Sequence, residues 1–319
     1  MPQPLAALMP LLARLASPLH PGEGFGFDPG WADLTGGPAL LAALREAVEA
    51  GDVEQLEKIR RLLAGPECAE RARIYYTVRF AMGRPEGVGE AAQIAASVHR
   101  NACLLVEAAS AAAAGKAPND AQLGYWARWW LGATASTPPP RRTPVAGFYR
   151  DSGFLADFYF ELAPGPPGTA FLHPEAALAA FGPSLRRAVE QAAAAAPRAL
   201  CWRLALRDPL PEEAPPLDGD SAGAAAAVGV RLLARGRAHD PACLLAARVN
   251  QDGTLAKVGH EREKLLAARE AGFLRAGVAA SSDLTESGIE QLRPLFVRRL
   301  RTLREAEDFA AASRPLPLL

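Results

Sequence analysis

The sequence predicts an α+β protein in two parts: an all-helical domain over residues 1–145 and a mixed α and β domain over residues 146–319. Three observations carry this. From about Pro38 to Leu131, apolar residues recur at three- and four-residue spacing between helix start and stop signals. STPPPRRTP at 136–144 is proline-rich and extended, suited to a linker rather than to a helix or strand. After it, alternating segments rich in Phe and Tyr appear, as strands require.

Taken in order, one helix is expected from Pro38 to Ala50, with Gly51 just beyond it, and a second opens with Asp52 and Gln55 in a capping-box-like arrangement and stops at Gly65. ECAERARIYYTVRFAM, GEAAQIAASVHRNACLLVEAASAAAA and a shorter run through Tyr125 and Trp126, Trp129 and Trp130 complete about five helices. Aromatics at that spacing favour a core position over an exposed partner patch. Beyond the linker, Phe154 to Leu162 reads as a strand, Pro174 to Ala196 as a helix and Leu200 to Leu206 as a second strand. LLAARV, NQDG and TLAKV read as a hairpin on a two-residue Asp252-Gly253 turn.

Half of the 319 residues are hydrophobic, enough for a substantial core. Thirty-five basic residues balance thirty-five acidic ones with no basic tail, so composition favours neither nucleic acid nor an anionic membrane. The apolar opening MPQPLAALMPLLARLASPL is broken by Pro10 and carries its only charge, Arg14, inside the run, the reverse of a signal peptide. No apolar stretch suggests a membrane span. Four cysteines in no CxxC or zinc spacing suit a reducing cytoplasm and supply no disulfide framework. His20, His99, His173 and His239 are scattered without metal-ligand company, so polar surface or capping roles are expected, and no metal or cofactor is implied. GEGFGF lacks the preceding strand that a nucleotide loop needs.

The strongest chemical signal is LDGDSAGAAAAVGVRLLARG, which presents Ser221 at the start of a helix. Unpaired backbone N–H groups there can stabilise an oxyanion, although Asp218, Asp220 or Ser221 could equally serve as a helix cap. GDSAG satisfies GxSxG, yet no strand leads into it, no HGGG-type loop lies upstream, and His239 and His260 follow too soon for an α/β-hydrolase triad. A trypsin-like reading fails because no upstream histidine motif matches.

A serine can instead be activated by a neutral lysine. Only four lysines exist, Lys58, Lys116, Lys257 and Lys264, and ARVNQDGTLAKVGHEREKLLAAREAG follows the serine block. Asp218, Gly219, Ser221, Ala222 and Gly223, with Val249, Gly253, Leu255, Val258, Gly259, Lys264, Ala267, Ala268 and Gly272, resemble the proteolytic domain of Lon proteases over residues 146 to 312. The Ser221 to Lys264 separation equals the family's, so the two blocks align without a gap.

The resemblance implies a Lon-type fold in the second domain, Ser221 as nucleophile, Lys264 as general base with Lys257 as fallback, and peptide-bond hydrolysis through an acyl-enzyme. Gly219, Asp220 and Asp218 would shape the oxyanion loop. Lon proteolytic domains assemble as hexameric rings, so a homo-oligomer is implied too. No Walker A motif occurs, since Gly115-Lys116 is followed by Ala117, which implies ATP-independent action on exposed or unfolded segments or on one dedicated partner, with the helical domain selecting substrate or docking a regulator. A lysine begins near 10.4, and keeping it neutral near physiological pH costs about 4 kcal/mol, which desolvation can supply. Departures from the family pattern favour an alternative, a catalytically degenerate Lon-fold interaction or assembly protein. The family's TGE is Ala246, Ala247 and Arg248 here, the proline before the serine is Asp220, and the second glycine of GG is His260.

Overall fold

The computed structural model describes residues 4–18, 29–36, 39–83, 88–116, 118–133, 140–211 and 214–312. His20, GEGFGF and the first four residues of the proline-rich segment lie outside these. The chain divides into two compact units. The first comprises Met1–Ala135, His173–Pro183 and Glu213–Leu217, and the second comprises Ser136–Leu172, Ser184–Glu212 and Asp218–Leu319. The first break thus precedes residue 145, and two segments expected in the second domain cluster with the first.

Among the described residues the first unit holds seven helices: α1 (Pro4–Leu15), α2 (Pro29–Gly36), α3 (Ala39–Ala50), α4 (Val53–Leu63), α5 (Pro66–Gly83), α6 (Val88–Ala113) and α7 (Ala121–Trp130). Two more form than the sequence suggested. α1 continues through Pro10 because the proline sits on its exposed side while Leu8, Leu12 and Leu15, one and two turns apart, are buried. Asp52 caps α4 by accepting from Gln55 N at 2.9 Å, as the sequence suggested. α6 buries a continuous stripe from Ala91 to Ala112, within which Asn101 donates from Nδ2 to Ala177 O at 3.0 Å. Trp126 and Trp130 are core residues, and Trp129 packs edge-on against Trp130 and His173.

The second unit holds a four-stranded sheet, a three-stranded sheet and a two-stranded hairpin. The first is made of β1 (Arg141–Tyr149), β2 (Ser152–Ala163), β3 (Ala170–Leu172) and β4 (Ala199–Leu206) in the order β1-β2-β4-β3, with β3 parallel to β4 and the other pairs antiparallel. β1 begins inside the segment read as a linker. Pro144 is compatible with it because β1 is an edge strand, which can spare an N–H from the ladder. The helix expected over 174–196 is broken: a 3-10 turn spans Pro174–Ala176, and α8 (Pro183–Ala193) starts afresh at Pro183, a residue well suited to a first helical position.

A second 3-10 turn, Asp220–Ala222, leads into α9 (Gly223–Ala234). α9 lies against β1 and β2 at Gly229, where a Cβ would collide with Thr143 Oγ1 and come within 2.9 Å of the Phe160 ring. Glu307, almost fully buried on α12 (Leu303–Ala310), accepts from Arg231 at 3.0 Å and from Arg235, which ties α12 to α9. β5 (Cys243–Ala246), β8 (Arg275–Ala279) and β9 (Phe296–Leu300) form the all-parallel sheet.

β6 (Arg248–Val249) and β7 (Leu255–Ala256) form the expected hairpin, but on a longer loop. Asn250 N donates to Thr254 O, leaving Gln251 to Gly253 at the tip, and Gly253 takes φ +80°. Glycine is the residue that a three-residue hairpin loop favours at such a left-handed position. α10 (Glu261–Glu270) and α11 (Glu286–Glu290) complete the unit. One buried cluster, including Ala146, Leu155, Leu244, Ala246, Leu265, Ala268 and Val278, joins α10 to both sheets and fixes its position.

Candidate functional site

Ser221 lies in the 3-10 turn ahead of α9, as the sequence suggested, and is partly exposed. The turn is held from both sides. Upstream, Asp218 Oδ1 accepts from Ser184 N at 2.9 Å and Leu185 N at 3.0 Å, so this aspartate caps α8 and anchors the loop. Gly219 takes φ +109°, open to glycine and strained for other residues. Downstream, Ala224 N donates to Ala247 O at 3.0 Å, and the β6 backbone lies alongside Gly223, where a Cβ would make an ordinary contact 3.4 Å from Val249 N. Ala247 therefore braces the serine turn through its backbone carbonyl. Ala246 itself is core.

Lys264 is in the first turn of α10 and only 5% exposed. Burial pushes its pKa down, while Glu261, Asp220 and Glu263 push back by favouring the cation. The N-terminal end of the helix dipole also disfavours a cation there. α10 sits close to β2 because Gly153 admits the Glu263 backbone, whose carbonyl carbon would be 2.8 Å from a Cβ at that position.

Lys264 Nζ donates to Gly259 O at 2.9 Å, and among the described residues no hydrogen bond joins it to Ser221 Oγ. The Asp220 carboxylate is turned to Arg248, 3.5 Å away, in a half-exposed pair. The acid directly before Ser221 thus meets an arginine of β6. Lys257, the fallback base, is half-exposed and ion-paired with Asp283 at 2.6 Å, which suits a surface role.

His260 precedes α10 with φ +57° and stacks flat on Phe148 at 3.6 Å between ring centroids. Such a left-handed backbone is uncommon for residues other than glycine, and the ring stack offsets part of the strain. Glu261, also buried, accepts from Ser282 Oγ at 2.5 Å. Nothing local in the sequence pointed to Gly259 O or Ser282.

Other nucleophiles fit less well. The four cysteines are free, and burial pushes Cys68 up to about 11 and Cys243 up to about 12, far from a thiolate near neutral pH. His173 caps the Pro174 turn by accepting from Glu175 N, and His99 hydrogen-bonds Leu63 O at 2.7 Å. His239 is buried rather than on the surface. No group of three or more His, Cys, Asp or Glu among the described residues could hold a metal. No described helix is long and apolar enough to cross a membrane.

A groove of about 820 Å³ runs beside the serine turn, lined by α8, by α9 from Gly223 to Arg231, by the β6–β7 loop and by Asp220. No family model matches the chain, and no curated protein matches it.

Proposed function

We propose that the chain is an ATP-independent, Lon-like serine endopeptidase in which Ser221 is the nucleophile and Lys264 the general base. The observation that carries this is a lysine whose burial weakens its hold on a proton, in the helix aligned by sequence with a serine on a braced, groove-side turn. In the neutral form Lys264 Nζ would take the Ser221 proton as Oγ attacks the scissile carbonyl, then return it to the leaving amine. Water would hydrolyse the resulting ester by the same exchange. Backbone N–H groups of Gly219, Asp220 and Ser221 are the candidate oxyanion donors.

Catalysis requires Lys264 to leave Gly259 O and swing to Ser221, so substrate or a regulator docked on the helical unit would assemble the pair. Exposed or unfolded segments, or one dedicated partner, are the substrates proposed. A cytoplasmic location and ring-shaped oligomers belong to the same proposal.

The experiment is hydrolysis of a quenched peptide library by the full chain. Ser221→Ala and Lys264→Ala should each lower cleavage by about a thousandfold or more, as loss of a nucleophile or its base does. Cleavage that persists in both variants contradicts the proposal.

The Lys264–Gly259 hydrogen bond favours a second reading, a Lon-fold interaction or assembly protein without catalysis. It requires that wild type cleave nothing and that both variants keep every cellular phenotype.

A further inference from the structure

The groove beside Ser221 carries a charge that the protein does not use. Asp220 is turned to Arg248, and Asp252 Oδ1 accepts from Thr254 N at 2.9 Å and Thr254 Oγ1 at 2.6 Å. Arg231 spends its Nε on Glu307 at 3.0 Å. Arg187, on α8, is exposed and makes no hydrogen bond or ion pair among the described residues. The lining shared with Arg187 includes small residues, Ala188 and Ala192 on the same helix and Ala227 on α9. The volume, about 820 Å³, falls in the range of about 300–1,000 Å³ usual for ligand sites.

We propose that this groove recognises a peptide carboxylate, seated on Arg187 while the adjoining backbone passes the Ser221 turn. A planar guanidinium with its donors free matches a carboxylate bidentately, which gives orientation as well as attraction. Small walls admit the peptide main chain where larger side chains would fill the groove. The inference rests on the peptidase reading for its consequence, a preference for cleaving near an acidic group, but the binding itself needs no catalysis. The carboxylate could come from an internal Asp or Glu or from a chain terminus.

The test uses the full chain with Ser221→Ala, so that bound peptide survives, and fluorescein-labelled peptides read by anisotropy. Three otherwise identical peptides are compared: neutral with an amidated end, the same with one internal Glu, and the neutral sequence with a free C-terminal carboxylate. At least one carboxylate peptide should bind about tenfold tighter than the neutral amide, and which one does so identifies the source. Adding Arg187→Gln should remove the difference, and Arg187→Glu should invert it towards a Lys-bearing peptide. Arg187 is exposed, so both variants should keep the parent melting temperature. Equal binding of all three peptides overturns the inference, as does a preference that survives both variants. These results are distinct from failure of the peptidase reading, which would appear as absence of cleavage by wild type while the carboxylate preference persisted.

Discussion

At the scale of single residues, the proposed chemistry depends on how weakly Lys264 holds its proton. Burial works against the cation, and Glu261, Asp220 and Glu263 favour it. Asp220→Asn removes one of the favouring charges, so the acidic limb of the pH–rate profile should move to lower pH, and the rate on that limb should rise. An unchanged limb would show that Arg248 already neutralises the carboxylate at Lys264. His239 supplies a second, structural titration. Its Nδ1 donates to Asp240 O at 2.9 Å, its Nε2 has no partner among the described residues, and burial holds its pKa down to about 4, with Asp240 favouring and Arg275 opposing the cation. With the folded value below the ordinary 6.5, the unfolded chain takes up a proton that the folded chain refuses between those two values. Stability should therefore fall as pH drops from about 6.5 to about 4, by about 3 kcal/mol for this group. His239→Leu should flatten that part of the curve in urea unfolding at stepped pH, and a slope equal to wild type would assign the loss to other groups.

At the scale of elements, two close approaches position the site. α9 reaches the sheet at Gly229, and α10 reaches β2 at Gly153. Gly153→Val should push α10 from β2 and lower stability by about 1–3 kcal/mol, the usual cost of overpacking. It should also lower kcat of the proposed peptidase, because the displaced turn carries Lys264. Stability loss with kcat intact would show that α10 moves without consequence for the site. The elements also show what sequence can reveal. Asp52 with Gln55, the Phe- and Tyr-rich β2 and the serine turn were legible because their signals are local: a cap, an alternation, a Gly-Asp cluster. β1 was not, because Pro144 reads as a strand breaker unless the strand is known to be an edge. The alanine run that suggested a helix from Pro174 gave no sign that the chain would turn at Pro174–Ala176 and restart at Pro183. Contacts such as Lys264 to Gly259 O and Asp220 to Arg248 depend on how segments distant in sequence or the backbone at a helix entry come together, and no local pattern encodes them.

At the scale of the whole molecule, the two units are not beads in sequence order. His173–Pro183 and Glu213–Leu217 cluster with the helical unit, held within it by Asn101 to Ala177 O, by Arg79 to Ala214 O at 2.9 Å and by His173 against Trp129. Deleting residues 1–135 would therefore strip the cover from buried Ala177, Leu178 and Phe181. Point changes on the surface of the helical unit are the sounder way to seek a docked regulator. The central claim, that Lys264 activates Ser221, is tested most directly by treating the full chain with a fluorophosphonate and locating the adduct by mass spectrometry. The account expects one adduct, on Ser221, forming faster as pH rises through the titration of Lys264 and lost in Lys264→Ala. No adduct on Ser221, or one that forms equally fast without Lys264, would contradict it.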